Sequence, residues 1–260
     1  MPSARLYKTE AIILRQRRLG EADRFLTLYT PVHGKFDAKA KGVRKTTSRM
    51  SGHLQPLTRC MLQLAQGHAN DVVAGCETLE SFQKLRDNLD LLSRALYVAE
   101  LVDRMTPERA PSIATYRLFW ETLRLLEVSE TPDLVTCHFE MRLLDESGFR
   151  PELECCVNCR SSLRPEAHSF APQSGGAVCA GCASGSAGVR SLTLNALKVL
   201  RLLQRAPYRE VAAVRVDEAL ALEIERHLRS YIVCVLERDL NAAAFIDTLR
   251  RSAMPVAVEV

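Results

Sequence analysis

Two pairs of cysteines carry the strongest chemical signal in this 260-residue chain: Cys156-Val157-Asn158-Cys159 and Cys179-Ala180-Gly181-Cys182. Nineteen residues lie between the pairs, inside the roughly 15–20 of a zinc ribbon. A two-residue gap lets both thiolates of a pair reach one ion. Four thiolates close a tetrahedral Zn²⁺ and leave no position for water or substrate, so the expected role is structural. The binding energy, about 10–16 kcal/mol in small zinc peptides, would fold a segment poor in aliphatic residues. A redox pair, an iron–sulfur cluster and four unrelated thiols are the other readings of these residues. Cys155 could ligate in place of Cys156, but the two-residue spacing favours Cys156.

His138-Phe139-Glu140 upstream of the first pair raises a catalytic alternative, a zinc-dependent nucleobase deaminase in which His and two Cys hold the metal and Glu moves protons. Three observations oppose it. No Pro immediately precedes Cys156, the second pair already completes a zinc site, and His138 and Glu140 fall inside a helical pattern with bulky neighbours. His138 is expected on a helix surface. No phosphate-binding G-x-x-x-x-G-K-[ST], G-x-S-x-G or H-E-x-x-H motif occurs. The chain is therefore not expected to be an enzyme.

The second signal is charge. The net charge is only +4, but residues 1–60 hold 13 Lys/Arg against 4 Asp/Glu, and the remaining 200 hold 22 against 27. A concentrated positive field attracts polyanions, and nucleic acid is held by cations on phosphates and by aromatic rings on bases. The candidate cations are Arg15, Arg17, Lys35, Lys39, Lys41, Arg44, Lys45 and Arg49, with Tyr7, Phe25, Tyr29 and Phe36 as the nearby aromatics. Solubility alone is the bland explanation, and it leaves a zinc-stabilised protein-interaction scaffold as a further alternative.

The elements that must position these residues change character along the chain. Up to about residue 80 the apolar period is two. Phe36, Ala38 and Ala40 alternate with Lys35, Asp37, Lys39 and Lys41, which predicts a strand with one packed and one basic face. Pro31 to Gly34 and Gly67 to Asp71 read as turns, and Gly42 to Pro56 as a long basic loop, often a functional feature. Five or so short strands suggest a small barrel of the OB type, whose face and loops bind nucleic acid. From Ser81 the period becomes 3.6. Leu85 to Val102 forms one stripe, Ile113 to Val128 a second helix and Pro132 opens a third that Gly148 ends. After the cysteine-rich segment, Thr193 and Asp217 can cap two more helices. The architecture expected is α+β: an N-terminal OB-fold β-barrel (1–80), an α-helical domain (81–150 and 191–250) and an inserted four-cysteine zinc module (151–190). Composition is ordinary for a globular chain, 47% hydrophobic and 25% charged. No apolar run approaches the length of a membrane span, and the first residues lack the apolar stretch of a secretory signal, so a cytosolic location is expected.

Several segments together resemble one known family. They are Gly20 to Arg24, Leu26 to Thr30, His33-Gly34-Lys35 and Ala40 to Lys45; then Tyr97 to Asp103, Phe139 to Leu144, Gly148, Pro151, Phe170, Gly175-Gly176 and the two Cys pairs. In that order, over most of the chain, they are similar to the RecO family of recombination mediators. The resemblance implies an OB-fold domain, a helical domain and a four-cysteine zinc module formed by Cys156, Cys159, Cys179 and Cys182. It also implies a non-catalytic DNA-repair protein of the RecF pathway that binds single- and double-stranded DNA and anneals complementary strands. With RecR, such a protein helps load RecA onto DNA coated with single-strand-binding protein (SSB), in some members by contacting the acidic C-terminal tail of SSB. The location implied is cytoplasmic and nucleoid-associated, with no membrane partner. The DNA-binding role carries over to Lys35, Lys39, Lys41, Arg44, Lys45 and Arg49.

Overall fold

The computed structural model describes residues 5–44, 48, 50–185, 188–237 and 240–253. In chain order the elements are strands β1 (Leu6–Leu19), β2 (Asp23–Thr30), β3 (Gly34–Ala40), β4 (Arg59–Ala65) and β5 (Asp71–Glu80); helices α1 (Gln83–Asp87), α2 (Leu89–Met105), α3 (Ile113–Leu126) and α4 (Pro132–Glu146); then β6 (His168–Ala171), β7 (Gly176–Val178), α5 (Ala180–Ala183), β8 (Arg190–Leu192), α6 (Leu194–Arg205), α7 (Tyr208–Val211), α8 (Glu218–Leu236) and α9 (Asn241–Ala253). Two compact units result. One takes β1–β5, α1–α3 and α9, and the other takes α4 to α8 with the small sheet. The division does not follow the sequence-based boundaries at 80 and 150, because α2 and α3 pack with the barrel and α9 packs on α2. No described helix is long and apolar enough to cross a membrane.

The five strands pair in the order β1-β2-β3-β5-β4 with β4 returning to β1, and the narrowest seam is the parallel β3–β5 pairing at Ala38↔Asp71 and Lys39↔Val72. Alternation fills the inside with Ala11, Ile13, Leu26, Leu28, Phe36, Ala38, Leu62 and Leu64. A bulge in β1 between Ile13 and Arg15 shifts the phase by one residue. Ile13 can then face the core while Arg15 and Arg17 face out. The long β3–β4 connection, expected as a basic loop, buries Val43 and Leu54 in the barrel core instead, and Leu57 donates its N–H to the Ile13 carbonyl at 2.7 Å. Val43 and Leu54 thus fill one end of the barrel.

Helices cover part of the outer wall through polar ties. Arg59 on β4 bonds Glu10 (2.6 Å) and Glu80 (2.8 Å) and lies 4.0 Å from the centre of the Trp120 ring on α3. Trp120 Nε1 donates to Glu80, and the Tyr116 hydroxyl donates to Glu10 at 2.6 Å. Burial alone would raise the Glu10 carboxyl, but the bonds from Arg59 and Tyr116 outweigh it and hold the group below its ordinary value. On β3, Lys35 donates to the Asp103 carbonyl of α2 and lies 3.4 Å from its carboxylate.

The second unit packs α4, α6 and α8 together. Thr193 and Asp217 cap α6 and α8 through bonds to the N–H groups of Ala196 and Leu220, as their spacing predicts. Gly148, at φ 80°, ends α4. His138 departs from expectation. It is half-buried on α4, with Nε2 3.2 Å from the Ala206 carbonyl and its ring edge-on to Tyr208, and burial pushes its pKa down.

Removing the Arg59 guanidinium would strand two carboxylates against the wall. Arg59→Ala is expected to cost about 2 kcal/mol of stability, read as a lower urea midpoint. The folded value of Glu10 lies below its unfolded one, so its contribution is present above about pH 4.5 and is lost as pH falls through the folded value. Glu10→Gln should flatten that part of an acid-unfolding curve.

Candidate functional site

Strand register defines the open part of the barrel wall. Arg17 pairs with Phe25, and Phe25 with Lys39, so a ring lies between two cations across three neighbouring strands. The Arg17 guanidinium sits 4.7 Å and the Lys39 ammonium 5.4 Å from the Phe25 ring centre. Phe25 is half-buried, so part of the ring remains accessible. The next row is Arg15–Thr27–Asp37. Asp37 accepts from Arg17 (2.7 Å) and from the Thr27 hydroxyl (2.6 Å), which fixes the Arg17 side chain along the wall. This arrangement can hold a polyanion and present an aromatic ring to a base.

Not all candidate cations join it. Lys41 is exposed one step beyond Lys39. Arg44 reaches the Gly20 carbonyl at 3.3 Å, beside the β1–β2 turn. Arg15 is spoken for in part by Asp103, at 2.8 Å, although its side chain is 58% exposed. Lys35 leaves the barrel on the same face as Lys39, but α2 covers it and Asp103 engages it, with 11% of the side chain exposed. Its neighbour Tyr29 is equally buried, stacked on Tyr116 of α3. Lys45 and Arg49 lie outside the described residues. Phe25 is the participant that alternation alone does not single out, since most strand aromatics are core; its placement between Arg17 and Lys39 needs the register.

In the other unit the four paired cysteines converge. Their sulfur atoms all lie within 4.8 Å of one another, and Cys159 Sγ to Cys179 Sγ is 3.7 Å. Thiolates bonded at about 2.3 Å to a tetrahedral ion stand about 3.8 Å apart. The donor set and its spacing therefore fit a four-thiolate metal. Cys156, not Cys155, supplies the first sulfur. Burial opposes charge on Cys156, but the N–H groups of Cys159, Cys179 and Asn158 outweigh it and bring its thiol down to about 6. The bond with Ser161 lowers Cys159. Cys182 is pushed up to about 12 by its hydrogen bonds to Cys179 and Cys159. The backbone N–H groups around Cys156 favour its thiolate, and a bound cation would favour loss of the protons on the cluster.

The chain holds this cluster by backbone approach. Gly176 lies against Glu152, where a Cβ would meet the Glu152 carbonyl at 2.2 Å, and Ala177 donates its N–H to that carbonyl. Arg201 on α6 donates to the Leu153 carbonyl (2.7 Å), and Gln204 to that of Pro151 (2.7 Å). His138 is not among the clustered ligands, and no other group of three or more His, Cys, Asp or Glu that could hold a metal occurs among the described residues.

Two family models together span most of the chain. Residues 3–82 match the family model described as Recombination protein O N terminal, and residues 86–243 match Recombination protein O C terminal. The chain is 38% identical to the "DNA repair protein RecO" of Dehalococcoides mccartyi over 94% of this chain and 96% of that one. It is 38% identical to the protein of that name from Roseiflexus sp., over 98% and 90%, and 36% identical to that of Symbiobacterium thermophilum, over 94% and 98%.

The purified chain is expected to carry one metal ion per molecule by elemental analysis. Cys156→Ser should remove it and lower the thermal midpoint. Acidification should release it as well, because the ligands must be thiolates. Stoichiometric metal in the Cys156→Ser protein would contradict the assignment.

Proposed function

The chain belongs to the RecO family of DNA repair and recombination proteins, and from that premise we propose that it is a non-catalytic recombination mediator that grips DNA on the open half of its barrel wall. It binds single- and double-stranded DNA and anneals complementary strands. With RecR it helps load RecA onto SSB-coated single strands, in the cytoplasm at the nucleoid, with the acidic SSB tail as a further partner. The observation that carries the reading is the Arg17–Phe25–Lys39 row, two cations flanking a partly exposed ring. Arg15, Lys41 and Arg44 extend the positive surface on either side, and Lys45 and Arg49 follow Arg44 in sequence. Lys35 is left out of the binding set, because its ammonium serves Asp103.

Annealing on such a surface needs no nucleotide hydrolysis. Cations that neutralise two backbones at once reduce their repulsion, and base pairing supplies the free energy. The four-cysteine site holds Zn²⁺ as a structural ion, since four thiolates leave no open coordination position.

Annealing of labelled complementary oligonucleotides, bare and SSB-coated, tests the reading, and acceleration that salt suppresses is expected. Arg17→Ala/Lys39→Ala should lower the slope of log affinity against log salt by about 1.4 for single strands, about 0.7 per lost phosphate contact. Phe25→Ala should weaken single-strand binding by about 1–3 kcal/mol and leave the salt slope unchanged. Wild-type binding and annealing by the double variant would exclude the wall.

A further inference from the structure

The barrel has two ends, and only one is plugged. At the end opposite Val43 and Leu54, a cavity of about 430 Å³ opens between the start of β1, the β4–β5 turn and the α2–α3 connection. Its floor is Tyr7 and Asp71, which alternation turns inward. Its rim carries Arg5, Lys8, His33 and Arg109. Asp71 is 5% exposed and its carboxylate is already committed, accepting the Tyr7 hydroxyl at 2.6 Å, the Gly67 N–H at 3.3 Å and Arg109 at 3.5 Å. With its acid engaged and its cations open to the cavity, the mouth is electropositive.

Arg109 is held for this position. Its N–H donates to the Lys35 carbonyl at 2.8 Å, and its guanidinium lies 4.2 Å from the centre of the Phe36 ring. Its backbone has φ 56°, unusual for a residue with a Cβ. Gly34 permits the approach, for a Cβ there would meet the Ala110 carbonyl at 2.5 Å. Arg109 contributes only one bond to Asp71, while 52% of its side chain is exposed. Beside its ties to Asp71 and Tyr7, the half-exposed guanidinium can offer donors to a ligand in a fork suited to phosphate. His33 stands edge-on to Tyr7, ring centres 5.1 Å apart, and supplies a planar edge beside the cations.

We propose that this barrel mouth is a phosphate-ester site, separate from the outer wall, with Arg109 as the oriented ligand and Arg5 and Lys8 as the flanking charges. The chemistry is that of a nucleotide, presented either at the end or bend of a bound strand or as a free mononucleotide. For the strand source the inference rests on the DNA-binding reading above, whereas for the free source it does not. The cavity volume lies in the range that holds a small ligand.

The test follows the His33 and Tyr7 side-chain NMR signals of the full chain. The titrants are inorganic phosphate, thymidine 5′-monophosphate and a short oligothymidine, with and without a 5′-phosphate. These signals are expected to shift with the phosphate esters, and Arg5→Gln/Lys8→Gln to weaken that binding about tenfold, as loss of charge-assisted contacts would. This double variant spares the Tyr7–Asp71–Arg109 network and should keep its melting temperature. Arg109→Gln should weaken binding further, with its own melt as control. A shift with oligonucleotide alone supports the site and assigns it to a strand; a shift with mononucleotide supports it as a nucleotide site. No shift in any arm, or unchanged affinity in Arg5→Gln/Lys8→Gln, overturns it. In the Arg17→Ala/Lys39→Ala protein the mononucleotide shift should persist, so failure of the wall and failure of the mouth are told apart.

Discussion

A strand that fills a barrel with every second residue must put the residues between them on the outer wall, and here that wall is charged. The consequence is a problem of charge compensation. A helix can lie on such a wall only if it brings partners, because a charge buried without one is costly. Arg59 meets this demand with Glu10 and Glu80 beside it and Trp120 above it, and Lys35 meets it with Asp103. Where α2 and α3 offer Asp103, Tyr116 and Trp120, the wall is covered. The row of Arg17, Phe25 and Lys39 lies on the part left open. The division between covered and open cations therefore follows from which helix residues face the barrel, and two lysines four positions apart on one strand face, Lys35 and Lys39, come to lie in opposite surroundings.

The same logic explains what could be read from the sequence. The barrel, the helix order and the four-cysteine site were legible because each has a local signature: alternation in 34–40, a 3.6 period with caps at Thr193 and Asp217, and a fixed gap between thiols. Lys35 was not legible as a structural residue. Alternation assigns it to the outer face correctly, but its coverage depends on Asp103, 68 positions away. The β3–β4 connection misled for a related reason. Its Arg and Lys residues draw attention to charge, whereas its buried side chains are Val43, Leu54 and Leu57, three apolar residues too widely spaced to form a period. The β1 bulge is likewise invisible in the run Ile12-Ile13-Leu14-Arg15, although it decides which side Arg15 and Arg17 take. The barrel mouth escaped because Tyr7, Asp71 and Arg109 come from three separate segments.

The cysteine site solves a different problem, that of holding irregular chain in a helical unit. Residues 149–167 contain no described helix or strand, and the sheet that follows has strands of three or four residues. Few apolar side chains are available there to offset the entropy of ordering the backbone. Two means of anchoring converge instead. Arg201 and Gln204 on α6 bind the carbonyls of Leu153 and Pro151, and the thiols gather the two ends of the segment. Three backbone N–H groups point to the Cys156 sulfur and favour its thiolate, so the fold itself readies that position for a cation.

An annealing protein must hold single strands and yet let the product go, and the proposed wall has both properties for one physical reason. Phe25 can stack only on a base that is unpaired and turned outward. Arg17 and Lys39, as cations, would engage phosphate in any strand. When two strands pair, their bases face one another and leave the ring, while the phosphates stay with the cations. The duplex thus loses the aromatic part of the grip and keeps the electrostatic part, which salt screens. Asp37 restrains the grip further, because the acid that aligns Arg17 also neutralises part of its charge. A wall of unpaired cations would hold duplex and single strand alike. On the proposed reading, a ring between two cations, one of them tempered by a neighbouring acid, would bind separated strands more tightly than the paired product and so favour turnover.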